Sequence, residues 1–219
     1  MNVVAFDICG TIYKSNTTFD FLDYVFSRKK VYRHFRRLSQ TMIWRLLNKL
    51  LRISVGLDIT RIIAISFLKG YKRKELVSLA ENFYDSILNY RVNKIVLARI
   101  IEELCNPNSR VVLISATIDV IAEVIANRIG CKEYYSTLLD YKNDICKGVV
   151  KMDYLGQKVN CLNKIGIVSL CSYYTDDLGD VPVLQCSKIK NVVIYSKRDE
   201  RKWKKVEKGK KWHLNYIEV

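Results

Sequence analysis

Short runs of apolar, mostly β-branched residues determine the fold that this sequence predicts. Four of them have the length and composition of buried parallel strands, at residues 3–8, 111–115, 171–176 and 191–196. Helical patterns follow at residues 118–129 and 157–165. Because strands that alternate with helices build a parallel sheet covered by helices, the sequence predicts an α/β fold with a Rossmann-like parallel sheet flanked by helices.

Three of these strands end at or beside a small polar or acidic side chain. These side chains are Asp7, Ser115 and Asp176, and the last begins an acidic loop that contains Asp177 and Asp180. In an open α/β sheet the ligand crevice lies at the carboxyl ends of the strands. We therefore expect the three side chains to converge, although they are far apart in the sequence.

A long segment without any strand pattern separates the first two strands. It contains helical patterns at residues 19–26, 31–53, 58–68, 74–88 and 92–104. The segment is too long for an ordinary crossover, so residues 15–105 are predicted to form an inserted all-helical cap over the crevice. Residues 1–14 and 106–219 would then form the α/β core, with a hairpin at residues 134–155.

The composition is strongly basic and poor in histidine. There are 37 Lys and Arg against 22 Asp and Glu, a net charge of +15, which favours contact with phosphates, nucleic acid or an anionic membrane. Only 2 histidines are present, so a His-rich metal site is excluded. The 7 cysteines show no C-x-x-C spacing, and no signal-peptide pattern occurs at the N-terminus, so a reducing, cytoplasmic setting is expected.

Four motifs follow one another along the chain. They are Asp7 with Gly10 and Thr11, then Ser115 with Ala116 and Thr117, then Lys158, and finally Asp176 with Asp180. On an alternating α/β pattern this order resembles the haloacid dehalogenase superfamily, and the helical segment after the first motif resembles its phosphoserine-phosphatase-like branch. The start of that segment and the basic C-terminal stretch are also similar to the bacterial phosphatidylglycerophosphatase C group.

The resemblance implies phosphoryl transfer through Asp7. Asp7 would be the nucleophile that takes the phosphoryl group as an aspartyl phosphate, because Asp is ionised at neutral pH. Ser115 and Lys158 would hold the phosphoryl oxygens and offset their charge. The phosphate-binding set would be completed by Gly10, Thr11 and Ala116. The short separation of Lys158 from Asp176 leaves two substitutes for the lysine, Lys164 and Lys151.

The resemblance also implies Mg²⁺ as the cofactor. The metal set would contain Asp7, Asp176 and the main-chain carbonyl of Cys9, which are oxygen ligands suited to a hard cation. Asp180, with Asp177 as a further candidate, would orient the water bound to the metal.

Cys9 departs from the pattern of the superfamily. Active phosphatases of that superfamily place a second aspartate two residues after the nucleophile, as acid for the leaving oxygen and then as base for water. A thiol with a reference pKa of about 8.5 is a poor proton donor to an alkoxide and cannot act as a carboxylate base. Slow hydrolysis, transfer from a substrate with a good leaving group, and phosphate binding without turnover all remain open.

Basic residues are concentrated at residues 28–52, which contain nine Lys or Arg and no acid. Apolar residues at helical spacing accompany them, at Phe35, Leu38, Met42, Leu46 and Leu50. A basic amphipathic helix is typical of contact with an anionic membrane, and the alternative is a cap helix with a solvated basic face.

The expected substrate is an anionic small-molecule or lipid phosphate, either lipid-linked or a sugar phosphate. The protein is expected to lie at the inner face of the membrane when it docks there.

A second basic run at residues 197–211 predicts an exposed helix. Nucleic-acid binding is disfavoured, because the sequence has no recognised nucleic-acid motif.

Overall fold

The structure, a computed structural model, describes residues 2–219 and contains one sheet. The strands are β1 (Asn2–Phe6), β2 (Ser109–Ile118), β3 (Tyr134–Lys142), β4 (Ile145–Met152), β5 (Leu170–Thr175), β6 (Ser187–Ile194) and β7 (Asn215–Glu218). Their order is β4-β3-β2-β1-β5-β6-β7, and every pair is parallel except β3 with β4. The predicted α/β class with a Rossmann-like parallel sheet is confirmed.

Ten α-helices cover the sheet within the described residues. They are α1 (Thr17–Val25), α2 (Lys30–Ser39), α3 (Met42–Val55), α4 (Ile59–Ser66), α5 (Arg73–Ser86), α6 (Lys94–Cys105), α7 (Asp119–Ile129), α8 (Lys158–Lys164), α9 (Val181–Gln185) and α10 (Lys197–Lys210). No helix of residues 2–219 has both the length and the apolar character needed to cross a bilayer.

The sheet register brings the predicted strand ends together. β1 lies between β2 and β5, and Phe6 pairs with Leu113 on one side and with Tyr174 on the other. The residues that follow this row along the three strands therefore lie at one edge of the sheet. Alternate residues face opposite sides of a strand, so Phe6 packs into one hydrophobic core and Ala5 into the second.

The pattern at residues 31–53 predicted one helix, and this prediction was wrong. The structure has two helices, α2 and α3, with a break at residues 40 and 41. The hydroxyl of Ser39 bonds to the Arg36 carbonyl at 2.9 Å and that of Thr41 to the Leu38 carbonyl at 2.8 Å. Such side chains compete with the helical backbone, and Thr41 then caps α3 by accepting from the Trp44 N–H.

The break in the helix also separates the predicted apolar stripe. Phe35 on α2 is buried against Phe67 and Trp44, with ring centroids at 6.0 and 6.1 Å. Met42 and its apolar neighbours on α3 are exposed, and α3 has no buried residue. The apolar residues predicted to share one helical face therefore lie in two environments, since Phe35 is buried and Met42 is exposed.

The four predicted strands and the predicted hairpin account for six of the seven strands, and β7 was not predicted. The predicted hairpin at residues 134–155 is present as β3 and β4, joined through Asn143 and Asp144 with φ of 51° and 66°. Two consecutive positive φ values match the twist of a tight hairpin, which Asn and Asp tolerate well. β7 has only four residues and lies at the edge of the sheet, so its sequence pattern is weak.

The inserted segment is attached to the sheet at both of its ends. α1 contacts β2, α6 packs against β2, and α5 packs against α7, whereas α3 packs on α2 and α4. The division into a core and a cap at residues 15 and 105 stays a prediction, and its second boundary includes α6 in the cap although α6 lies on the sheet.

Candidate active site

β1 leads Asp7 into a tight turn at the centre of the sheet edge. The Asp7 N–H donates to the Tyr174 carbonyl at 2.9 Å, and the turn passes through Gly10 with a φ of 72°. A Cβ at Gly10 would lie 2.1 Å from Asp176 Oδ2, which is closer than any real contact. Glycine is therefore required here both by the backbone conformation and by the approach of the Asp176 carboxylate.

Thr11 holds the acidic loop against this turn. Its hydroxyl donates to Asp176 Oδ1 at 3.1 Å and accepts from the Asp176 N–H at 3.0 Å. Tyr195, just after β6, donates its hydroxyl to the Gly10 carbonyl at 2.7 Å. Gly10 and Thr11, predicted as phosphate-binding residues, thus lie where they position Asp176, and their contact with phosphate stays a prediction.

Lys158 provides a buried positive charge beside Asp7. Its Nζ lies 2.8 Å from Asp7 Oδ1 and 2.7 Å from Asp180 Oδ2. Burial alone would lower the pKa of Lys158, but the carboxylates of Asp180 and Asp7 outweigh burial and raise that pKa well above its usual value. The ammonium therefore stays charged. Of the three lysines considered in the sequence, the structure places Lys158, and not Lys164 or Lys151, against Asp7.

Asp180 was predicted to orient water bound to the metal, but in the structure it contacts protein side chains. Its Oδ2 accepts hydrogen bonds from Lys158, from the Tyr173 hydroxyl at 2.8 Å and from the Thr175 hydroxyl at 2.7 Å. These contacts orient Lys158 towards Asp7. The assignment of Asp180 to the metal set stays a prediction, while its contacts support a role in positioning the lysine. Asp177 is exposed and caps the Gly179 N–H.

The two carboxylates nearest the turn both resist ionisation. Burial raises the pKa of Asp7 to about 6, although the Lys158 ammonium and a hydrogen bond from Ser115 act in the opposite direction. Burial, followed by the charges of Asp7 and Asp177, raises the pKa of Asp176 to about 7. Asp7 is buried and Asp176 is half-buried, and a divalent cation at this turn would favour the ionised form of both carboxylates.

The donor set fits a hard cation such as Mg²⁺. Apart from the Lys158 ammonium, the buried Asp7 Oδ1 lacks a hydrogen-bond partner within residues 2–219. No three His, Cys, Asp or Glu side chains cluster as a metal site in this part of the chain. A cation would therefore use the carboxylates of Asp7 and Asp176, the Cys9 carbonyl and water, and Mg²⁺ characteristically retains several waters.

Cys9 is held as a neutral thiol. Its Sγ donates to the Ser15 carbonyl at 3.1 Å. Burial, then the charges of Asp7 and Asp176, raise the pKa of the Cys9 thiol far above its usual value. A thiol in this state is neither a nucleophile nor a base at neutral pH, and it is a weaker acid than the free side chain.

Ser115 is completely buried at the second strand end. Its hydroxyl lies 3.0 Å from the Thr117 hydroxyl, which in turn lies 2.7 Å from the hydroxyl of Thr17 in α1. The chain of hydroxyls connects the predicted phosphate-binding serine to the first helix of the insertion. Ser115 and Asp7 line the same cleft, as predicted from the strand ends.

Arg61 of α4 is a site residue that the sequence analysis missed. It is 6% exposed, and its guanidinium donates to Asp153 at 2.6 and 2.7 Å, to the Ala116 carbonyl at 2.7 Å and to the Thr137 hydroxyl at 2.9 Å. The residue therefore links the insertion to the end of β2 that carries Ser115. Its spacing to the buried Ala64, three residues later on α4, is the signal that could have identified it as buried.

These groups surround one cleft of about 480 Å³. Its lining from the sheet side includes Asp7, Cys9, Ser115, Ala116, Lys158, Asp176, Asp177 and Asp180. From the insertion it includes Thr17, Phe19, Arg52, Asp58 and Arg61. The cleft is therefore lined by the carboxylates of Asp7 and Asp176 and by the Lys158 ammonium. Arg52 and Arg61 of the insertion also line it.

A family model of haloacid dehalogenase-like hydrolases matches residues 4–185. The chain belongs to this hydrolase family, which confirms the resemblance inferred from the four motifs. The similarity to the phosphatidylglycerophosphatase C group stays a prediction. A search of curated proteins found no match.

Solved structures share the fold at low sequence identity. A protein of unknown function from Bordetella pertussis Tohama I has a TM-score of 0.76 and 16% identity over 97% of each chain. A phosphoserine phosphatase solved as a phospho-aspartyl intermediate analogue has a TM-score of 0.61 and 13% identity over 98% of this chain and 92% of that one. Cytosolic 5′-nucleotidase IIIB bound to cytidine has a TM-score of 0.65 and 10% identity, over 99% and 80%. The predicted phosphoserine-phosphatase-like fold is confirmed.

The raised pKa of Asp176 predicts a pH dependence of stability for the metal-free protein. Between its ordinary pKa near 3.8 and about 7, the folded state binds more protons at this group than the unfolded state, so this contribution to stability falls as the pH rises. In Asp176→Asn that loss is absent. We expect metal-free Asp176→Asn to gain up to about 4 kcal/mol on the wild type at pH 8, and clearly less at pH 5.

Urea denaturation in a chelator at the two pH values measures this difference, with Asp85→Asn as a matched substitution of an exposed carboxylate. Mg²⁺ at pH 8 should raise the urea midpoint of the wild type and of Asp85→Asn but not of Asp176→Asn. If the free energy of unfolding of the wild type and of Asp176→Asn changed equally between the two pH values, the raised pKa of Asp176 would be refuted.

Proposed function

We propose that this protein is a Mg²⁺-dependent phosphomonoester hydrolase that acts through an aspartyl phosphate at Asp7. The observation that carries the proposal is the buried Lys158 ammonium 2.8 Å from Asp7 Oδ1, beside the Asp176 carboxylate that Thr11 holds over the same turn. The shared fold with a phosphoserine phosphatase solved as a phospho-aspartyl intermediate analogue supports it.

In the first step an Asp7 carboxylate oxygen forms a bond to phosphorus while the bond from phosphorus to the leaving oxygen breaks. Lys158 and Ser115 bind phosphoryl oxygens and stabilise the charge that they carry. Bound Mg²⁺, held by Asp7 and Asp176, supplies positive charge that offsets the phosphate and the carboxylates. The insertion contributes Arg52 and Arg61 to the lining of the cleft.

The neutral Cys9 thiol restricts which substrates can turn over. A leaving alkoxide needs a proton, and the raised pKa of Cys9 makes the thiol a weak donor. Leaving groups that are stable as anions do not need this proton. We therefore propose that the site favours substrates with a good leaving group. The acceptor of the phosphoryl group can then be water or another molecule. Binding of phosphate without turnover is the alternative that the same residue favours.

The proposed substrate is an anionic phosphate, lipid-linked or a sugar phosphate, taken up at an anionic membrane surface. Support comes from α3, where Met42 and Ile43 are 85% and 83% exposed, and from the nine basic and no acidic residues at 28–52. Exposed apolar residues beside a purely basic segment match the apolar interior and the anionic headgroups of such a bilayer. The occupant proposed for this face is an anionic lipid surface.

Phosphate release from 4-nitrophenyl phosphate and from an alkyl phosphate, with Mg²⁺, tests the catalytic proposal. We expect wild-type turnover of the aryl ester that Asp7→Asn abolishes. Cys9→Asp should raise turnover of the alkyl ester roughly 100-fold or more, since it restores a general acid and base. Cys105→Asp adds the same charge at an exposed cysteine and should change neither rate.

Three results would distinguish the alternatives. Aryl turnover that survives Asp7→Asn would exclude Asp7 as the nucleophile. If the wild type hydrolyses neither ester and Cys9→Asp restores hydrolysis, the wild-type site binds or transfers phosphate instead of hydrolysing it. If neither the wild type nor Cys9→Asp or Asp7→Asn releases phosphate, the catalytic proposal is rejected.

Sedimentation with lipid vesicles tests the membrane proposal. We expect the protein to bind vesicles that contain anionic lipid and not vesicles of neutral phosphatidylcholine, and binding should weaken with salt. Met42→Glu/Ile43→Glu should lower the anionic-vesicle affinity at least about 10-fold, because it removes two apolar side chains and adds negative charge. Val168→Glu alters an exposed apolar residue elsewhere and should bind as the wild type does.

The melting temperature of each variant reports whether it is folded. Equal binding of the wild type to anionic and neutral vesicles, or unchanged binding by the double variant, would contradict the proposal.

A further inference from the structure

A second cavity lies within the insertion, next to the catalytic cleft. It has a volume of about 640 Å³ and is bounded by residues of α1, α2, α3 and α4. Its charged lining consists of Arg36, Arg45, Lys49, Arg52 and one acid, Asp58. A cavity with four cations and one carboxylate is a strongly positive environment.

Three of these cations have no carboxylate to neutralise them. Arg45, Lys49 and Arg52 follow one another at spacings of four and three on α3, so they share one side of that helix. None of the three forms an ion pair within 4.0 Å among residues 2–219. Like charges at this spacing repel one another, and a bound anion would remove that repulsion.

The other two charged residues of the cavity are already engaged. Arg36 forms a bidentate pair with Asp23 at 2.7 and 2.8 Å. Asp58 caps α4 by accepting from the Arg61 N–H at 3.0 Å, and it also accepts from the Asn48 amide at 3.2 Å. The unpaired charge of the cavity therefore comes from α3. The hydroxyl of Thr60 in the lining, which accepts from the Trp44 indole N–H at 2.8 Å, provides a further donor.

The second cavity adjoins the catalytic cleft. Phe19, Arg52 and Asp58 line both spaces, so Arg52 stands where the two meet. One end of a ligand can lie over Asp7 while its other end reaches the α3 cations. Arginine and lysine together favour a phosphate group, which accepts several charge-assisted hydrogen bonds at once.

We propose that this cavity is a second anion site, which binds a phosphate group against Arg45, Lys49 and Arg52 while another phosphate group lies at Asp7. This inference deepens the proposed function and rests on it. The second group can belong to the substrate itself, to a separate phosphate ion or to a lipid headgroup, and all three share the same recognition chemistry.

Calorimetric binding to Asp7→Asn with Mg²⁺ tests the proposal without turnover, and the same titrations of the wild type with non-hydrolysable phosphonate analogues of the probes test it where the melting temperature shows that this variant is unfolded. The probes are a series of linear diol bisphosphates with two to six carbons and the matching alkyl monophosphates. We expect at least one bisphosphate to bind about 10-fold or more tightly than its monophosphate, and the best chain length then measures the distance between the two sites. Adding Arg45→Glu/Lys49→Glu should remove this preference.

Adding Arg33→Glu/Arg37→Glu instead makes the same change in net charge on α2, outside both cavities, and should keep the preference. Two further arms identify the source of the second group. Tighter monophosphate binding on adding inorganic phosphate supports a separate ion, and tighter binding on adding monomeric dihexanoyl phosphatidic acid alone supports a lipid headgroup. Each effect must disappear in the Arg45/Lys49 variant.

Equal affinity for bisphosphates and monophosphates throughout the series, with no effect of either additive, would overturn the proposal. A preference that survives Arg45→Glu/Lys49→Glu would also overturn it, because the second group would then bind elsewhere. Turnover of 4-nitrophenyl phosphate by the wild type is measured in parallel. If that turnover is present while the preference is absent, the second site fails and the hydrolase proposal stands; the converse result rejects hydrolysis and keeps the anion site.

Discussion

The Lys158 ammonium, enclosed between Asp7 and Asp180, is the interaction on which the site depends. An unpaired charge is expensive to bury, so Lys158 is stable there only while both carboxylates stay in place. Tyr173 and Thr175 on β5 fix Asp180, and β1 fixes Asp7, so the lysine ties the start of α8 to two central strands. Removing one partner of such a buried pair typically costs about 3–5 kcal/mol.

The protein as a whole is positively charged, whereas the centre of the cleft is rich in carboxylates. The protein carries a net charge of +15, yet the centre of the cleft holds three carboxylates, Asp7, Asp176 and Asp180, around one lysine. A phosphate is attracted by the outer surface and repelled at the reaction centre. A bound cation would reverse that repulsion, and Gly10 leaves room for the Asp176 carboxylate beside the turn that carries Asp7.

The features predicted well from the sequence follow from strand topology. The convergence of Asp7, Ser115 and Asp176 required only short apolar strands and the rule that ligands bind at their carboxyl ends. The break between α2 and α3 was missed because it depends on hydroxyl groups bonding to the preceding turn. Arg61 was missed because its basic charge suggests solvent, whereas its partners, among them Asp153, come from distant parts of the chain. The exposure of α3 depends on what packs against it, which an amphipathic pattern alone does not specify.

The hydrogen bond between Thr11 and Asp176 joins residues 165 positions apart. During synthesis, Asp7 and Thr11 leave the ribosome long before the acidic loop exists. Contacts of such high contact order form late, because the chain must first close the intervening loop at an entropic cost. Asp176 reaches the turn only when β5 has joined β1 in the sheet. The paired carboxylates are thus absent from nascent and partly folded chains, and a cation site built on them would exist only in the finished molecule.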